Sequence, residues 1–379
     1  MKNELKFKKK TMSQILPLLS YLGEIPDPRR KQGKRYDLPK TLLMIILGTM
    51  GGSVGYRELH SYLSKNKAAL CNLLAIKKVV VPSHVTIRDI LQRIDYEAFR
   101  QAFEKWASSS AATLAGWQLC IDGKSLCSTV VNAQSSEQNF LSMVTVFCAE
   151  IDCILAVTRL ENGKTSEQVS VVELLKALEL KGFLLTLDAL HDKKKTVAAI
   201  RDSENDYLIQ VKGNEPKLFA NMQAVALKNT AIDSHISTEK QKGRLETRAV
   251  KVWEATAEMK AMWQDLATYI QVINSGTRAG VPYYEEHYYI TNRPTTIKAQ
   301  VYGQNVRNHW RIENINHYQK DVFLREDSNN ISNINAASCF AILNNFVVNV
   351  TGLFDFKSIK DCHNSLKNRV ELSLEYLRT

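Results

Sequence analysis

The chain has 379 residues, 45% hydrophobic and 23% charged, values ordinary for a soluble globular protein with room for two or three domains. Lys and Arg number 50 against 39 Asp and Glu, and the net charge of +11 favours a polyanionic partner, nucleic acid first among them. Seven scattered cysteines, odd in number and without a C-x2-C pair, argue against a disulfide framework or a zinc knuckle.

The start, MKNELKFKKK, is basic, and no export-type apolar core follows it. The longest apolar stretch, read as LLMIILGTMGG, is too short to span a bilayer. A cytoplasmic protein without a membrane partner is expected. Residues 1–112 read as helical. ILPLLSYL has helical spacing, IPDPRRKQGKRYDLPK is a basic loop, and a proline opens the next helix, LPKTLLMIILGTMGG. YRELHSYLSKNKAALCNLL and HVTIRDILQRIDYEAFRQAFEKWASSSAATL repeat apolar residues three and four apart, with Ser83 a candidate N-cap. Such a unit is either a helix-turn-helix DNA binder or a plain bundle packed on the next domain.

Residues 113–215 change period. QLCIDG, MVTVFCAEI and CILAVTRL are β-rich runs close enough for an antiparallel meander. VSVVELLKALEL reads as a helix, GFLLTLDAL as a strand buried on both faces, KKTVAAIRDS as a helix and DYLIQVKGN as a strand. The order predicts an α/β core whose last strands lie in parallel units. Residues 216–292 hold one helix, PKLFANMQAVALK, then the strand-like TRAVKVWEAT, TYIQVINSG and EEHYYITN, a β-rich insertion. Residues 293–379 return to helix.

The chemistry concentrates on acids. Asp122 ends one apolar run and Asp188 another, and a carboxylate at a buried strand tip is costly without a metal or a strong partner. Open α/β sheets place ligands at such strand ends. Glu313, in RNHWRIENINHYQK, is the third acid that a pair of metal sites needs. Helical spacing puts His309, Glu313 and Lys320 on one face with His317 between them. Lys124, two residues after Asp122, points toward the same strand end, and Lys212, Arg244 and Arg248 are further candidate phosphate contacts. Trp310 reads as a core anchor.

At these residues the chain resembles the H-repeat-associated insertion-sequence transposases, a branch of the DDE transposases. IPDPRRKQGKRYDLPKTLLMIILGTMGG, LCIDGKSL, LTLDALHDKKK, YLIQVKGNE, KGRLETR and RNHWRIEN–DVFLRED carry the resemblance, which spans nearly the whole chain. It implies an RNase H-like mixed sheet with flanking helices, an insertion before the glutamate helix, and Asp122, Asp188 and Glu313 as a metal-binding triad. Mg2+ is the implied cofactor, with Mn2+ as its substitute. Double-stranded DNA is the implied partner, as transposon ends and target, with a homodimer synapsing two ends at the nucleoid. Related transposases carry a Tyr–Arg–Glu–Lys signature; Glu313 and Lys320 match its last two members, while His309 and Val306 stand at the arginine and tyrosine positions. Asp192, just beyond Asp188, either repels or supplements the metal site. The rival readings are a domesticated DNA-binding protein and a plain nuclease that keeps the fold.

Overall fold

The computed structural model describes residues 16–31, 34–109, 116–131, 139–161, 171–172, 174–175, 181–189, 194–241, 244–354 and 356–377. Asp192 and most of the helix expected in VSVVELLKALEL lie outside them.

The N-terminal part is helical: α1 (Leu16–Gly23), α2 (Leu38–Met50), α3 (Tyr56–Lys65), α4 (Lys67–Leu73), α5 (His84–Arg93) and α6 (Tyr96–Ser109). Local chemistry sets these starts. The Asp37 side chain accepts the Lys40 N–H ahead of α2, where Pro39 needs no donor partner. Ser83 caps α5 by accepting the Thr86 N–H, as its sequence position suggests.

Among the described residues, nine strands form one sheet in the order β3-β2-β1-β4-β5-β9-β8-β7-β6. They are β1 (Gln118–Val131), β2 (Asn139–Cys148), β3 (Cys153–Glu161), β4 (Leu184–Leu187), β5 (Asp206–Val211), β6 (Asp233–Gln241), β7 (Arg244–Glu254), β8 (Thr268–Arg278) and β9 (Val281–Thr291). The meander β1–β2–β3 is antiparallel, as expected, and β1, β4 and β5 are parallel neighbours. β9 pairs with β5, so the strands of residues 216–292 extend the central sheet rather than stand apart from it. β6 escapes a periodicity reading because it is a polar edge strand whose one isoleucine, Ile236, is 67% exposed.

Helices cover both faces. Strand alternation sends Leu119, Ile121, Leu185, Leu187 and Ile209 to one side, against α7 (Lys194–Asp202), α8 (Pro216–Lys228) and α9 (Ala257–Met262). The other side meets α10 (Ala299–His309), a π-helical segment at Ile312–His317, α11 (Tyr318–Leu324) and α12 (Ile334–Leu353). Two short helices, α13 (Ile359–Leu366) and α14 (Val370–Glu375), join the N-terminal core.

α12 corrects the reading of LLMIILGTMGG as the longest apolar stretch. Its 20 residues are long and apolar enough to cross a membrane by length and composition, yet the protein encloses them. Phe346 packs on Phe103 and Trp106 of α6, while Asn349 donates to the Ile154 carbonyl and accepts the Ile154 N–H. A polar clamp of this kind fixes which side of a helix buried nearly all round faces the sheet.

Candidate active site

Alternation along two strands starts the site. In β1, Cys120, Asp122, Lys124 and Leu126 share the face opposite Leu119 and Ile121. In β4, Ile121 pairs with Leu187, so Asp122 and Asp188 are each the residue after a registered pair, and both belong to the face covered by α10. One expectation changes. Asp188 does follow the end of β4, but Asp122 lies within β1, opposite Thr145 of β2. β1 runs on because β2 keeps pairing with it after β4 has stopped, so the parallel pairing ends beside Asp122 while the strand does not.

A buried polar ladder seats α10 on this face. Gln118 Nε2 donates to Thr186 Oγ1 (3.2 Å) and to the Asn305 carbonyl (2.7 Å), and Asn305 Nδ2 returns a bond to Gln118 Oε1 (3.0 Å). His309 Nδ1 lies 3.1 Å from Thr186 Oγ1. Hydrogen bonds in a buried seam are costly to break one at a time, so the ladder fixes the register of helix against strands.

The chain then winds through the π turn, with Arg311 at its entry gripping both Asp152 oxygens at 2.7 and 2.6 Å. This turn brings His317 back under Glu313. Donor atoms of Asp122, Glu313 and His317 lie within 4.8 Å of one another. His317 Nδ1 is 3.5 Å from Asp122 Oδ2 and 3.5 Å from Glu313 Oε2. The histidine is buried, Asp122 mostly so, and Glu313 is half exposed. The hydrogen bond from His317 holds the Glu313 carboxyl below its usual range, against partial burial that pushes it up. Asp188, one residue past the last registered pair, does not join this three-residue cluster. His317 is the member that sequence reasoning left without a role; its signal was its spacing of four from Glu313.

A second network lies two residues along β1. Lys124 Nζ donates to Asp321 and, at 3.2 Å each, to Glu326 and Asp327. Glu326 is buried and also accepts from Asn344 Nδ2 of α12 at 3.0 Å. Lys320 is buried beside it, and burial pulls its ammonium down to about 8 although Glu326 opposes that shift. Lys124 is thus engaged by three carboxylates, partners that its sequence position did not announce. One expectation is corrected. Lys320 is buried and does not share the half-exposed face of Glu313, because the π turn inserts a residue into the α-helical count.

The remaining candidates scatter. Lys212 is exposed at the end of β5, and the Arg244 side chain lies outside the described atoms. Arg248 pairs with Glu246 and donates to Asn274 Oδ1 at 3.0 Å. Trp310 is 46% exposed and not a core anchor; it follows the end of α10, and its side chain hydrogen-bonds Tyr289 of β9. With Arg248, Tyr289, Arg307, Arg311 and Asn314 it lines a groove of about 560 Å³.

A mixed sheet between helical layers, with clustered acids over its parallel strands, defines an α/β protein with a cation-ready centre. Residues 119–350 match the family model described as Transposase DDE domain, and residues 19–107 the one described as DDE_Tnp_1-associated. The chain belongs to the DDE transposase family and is, by that membership, a DNA transposase. It is 27% identical over 381 residues to "Putative transposase YncI" of Escherichia coli O157:H7, covering 96% of this chain and 94% of that one. It is 24% identical over 348 residues to "H repeat-associated putative transposase YhhI" of Escherichia coli strain K12, covering 89% and 90%. Among solved structures it is similar to the piggyBac transposase in its synaptic complex with hairpin DNA, with a TM-score of 0.51 and 12% identity over 96% of this chain and 80% of that one. At that identity the likeness concerns the fold.

Proposed function

We propose that the chain hydrolyses a phosphodiester at the ends of its own DNA element and joins the freed 3′-hydroxyl to target DNA, with Asp122, Asp188 and Glu313 as the metal-holding acids of an RNase H-like core. One observation carries the reading: Asp122, from a central strand, and Glu313, from a helix about 190 residues later, present donor atoms within 4.8 Å across His317. Asp188, one residue past the Ile121–Leu187 pair, supplies the third carboxylate. The donor set fits a hard cation, since carboxylate oxygens suit Mg2+ or Mn2+. When bound, such a cation lowers the pKa of an attacking water or hydroxyl and neutralises charge on the phosphate.

The chain's own residues do the rest. His317 holds two like charges together that would otherwise repel. Glu313, half exposed and kept ionised, is the member that meets the substrate side. The Gln118–Thr186–Asn305 ladder and the Arg311–Asp152 pair keep its helix from drifting off the strands. The reaction forms a bond from the nucleophile's oxygen to phosphorus as the P–O3′ bond breaks. In the second step the released 3′-hydroxyl is the nucleophile.

In this reading residues 1–112 bind the transposon ends, a homodimer holds two ends in synapsis, and the protein works in the cytoplasm at nucleoid DNA. The net charge of +11 supports a duplex DNA partner. Asp122→Asn is expected to abolish nicking of a labelled transposon end while end binding persists. Undiminished nicking would remove the proposed centre. Nicking without strand joining would make the chain a nuclease instead.

A further inference from the structure

Helix α5 is two-faced. Ile87, Ile90 and Leu91 are buried, and its neighbours α3 and α12 pack against that side. His84, Val85, Arg88 and Gln92 are exposed. His84, Arg88 and Gln92 are spaced by four and so form one stripe, with Val85, 49% exposed, beside it.

Grooves flank the stripe. One, of about 450 Å³, runs between α3, α5 and the loop of residues 325–331, and is lined by Tyr56, Arg57, His84, Arg88 and Arg325. The other, of about 500 Å³, lies toward Arg30 and Gln92. Arg30, Arg57, Arg88 and Arg325 are exposed and form no ion pair among the described residues. Of the acids nearby, Glu58 lines the first groove and accepts the Val54 N–H at 2.9 Å, and Asp89 holds Arg93 at 3.2 Å. Lys77 and Lys78 are exposed on the segment that leads into α5. Four arginines outnumber the acids in these grooves, so the surface is net cationic, and its ridge is the width of one helix, which a major groove admits.

The loop joins this surface to the acids. Arg325, in the left-handed conformation (φ 53°) that ends α11, faces the groove, while the next residue, Glu326, turns inward onto Lys124. The same turn therefore touches both the outer surface and the strand that carries Asp122.

We propose that α5 is the helix that reads the major groove of duplex DNA, with Arg88 and Gln92 meeting base edges, Val85 a thymine methyl, and Arg57 and Arg325 the flanking phosphates. This rests on the transposase reading and adds which helix recognises the DNA and how that surface connects to the catalytic strand. Arg and Gln are the side chains whose paired donors and acceptors match guanine and adenine edges, whereas arginine on phosphate adds affinity without sequence preference.

The test is selection from a pool of random-sequence duplexes by the full-length chain, followed by binding titrations on the selected duplex at several salt concentrations. The wild type is expected to enrich a motif. Arg88→Ala combined with Gln92→Ala is expected to lose base preference at adjacent positions and to weaken the selected duplex about ten- to hundred-fold. Arg325→Ala is expected to weaken all duplexes alike and to reduce the salt slope by about one. Asp122→Asn enriches the wild-type motif. An unchanged motif and affinity in the double variant, with its helical circular dichroism intact, overturns the assignment of α5 while Asp122-dependent end nicking keeps the transposase reading. No motif from the wild type overturns it as well. No binding to any duplex defeats both readings.

Discussion

Replacing Glu326 by glutamine keeps the shape of a buried side chain and removes its charge. Glu326 is 4% exposed, and it faces Lys124 at 3.2 Å and Asn344 at 3.0 Å, with Lys320 also buried beside it. Attraction to those two ammonium groups holds its carboxyl below the usual range even though burial pushes it up. Lys124 retains Asp321 and Asp327, but Lys320 loses its main counter-charge while remaining buried. Stripping one partner from a buried ion pair typically costs about 3–5 kcal/mol. Against a total of roughly 5–15 kcal/mol for a folded protein, that loss is large. Urea unfolding followed by tryptophan fluorescence should show a lower midpoint with an unchanged slope. Adding Lys320→Met removes the orphaned charge and is expected to recover about half of the loss or more, since an apolar replacement of a buried pair is often close to neutral. End nicking should fall in Glu326→Gln more than end binding does, because Lys124 shares its strand with Asp122. A loss below about 1 kcal/mol would refute the network's structural role.

Gly352 and His363 give two more expectations. A Cβ on Gly352 would fall 2.3 Å from the Asp152 carbonyl oxygen, so Gly352→Ala should cost about 1–3 kcal/mol in urea unfolding and slow end nicking through the Asp152–Arg311 pair. Burial lowers the His363 imidazole to about 4 from its ordinary 6.5, and its Nε2 is buried without a hydrogen-bond partner among the described residues. The neutral ring is the folded form, so its contribution is complete above pH 6.5 and is lost as pH falls through 6.5 toward 4. Thermal denaturation across that window should show His363→Phe less acid-sensitive than the wild type, by up to about 3 kcal/mol at pH 4.

Much of the fold was legible because its signals are local. β4 is fully buried and lies in the apolar run GFLLTL, and α5 announces itself with Ser83 and the apolar stripe Ile87, Ile90 and Leu91. Two of the acids in the cluster's vicinity, Asp122 and Asp188, stood out because each closes an apolar run, where an unpartnered charge is costly. What escaped depends on partners far away in sequence. Glu326 reads as one more acid in LREDSNN, and only the fold turns it onto Lys124, 202 residues earlier. Lys124 carries the same letters whether it meets phosphate or three carboxylates. Edge strand β6 offers no apolar alternation to detect, since the face half-buried under α10 carries Asp233, His235, Ser237 and Glu239.

The π turn explains the remaining difference. At 3.6 residues per turn, seven residues bring a side chain back to within about 20° of its start, so Glu313 and Lys320 should share a face. One inserted residue rotates everything beyond it by about 100°, and the segment Ile312–His317 makes that insertion. Glu313 stays half exposed and Lys320 turns inward to Glu326. Sequence spacing alone does not reveal the insertion, because IENINH carries neither proline nor glycine. The cost of the wider turn is offset locally: the Arg311–Asp152 pair clamps its entry, and His317 reaches Asp122 only because the turn brings it under the strand. π turns recur where a helix must aim side chains that a regular helix would misplace. Here the same irregularity gathers an acid and a histidine over the sheet and sends the lysine four residues from the end of α11 into the ion network below.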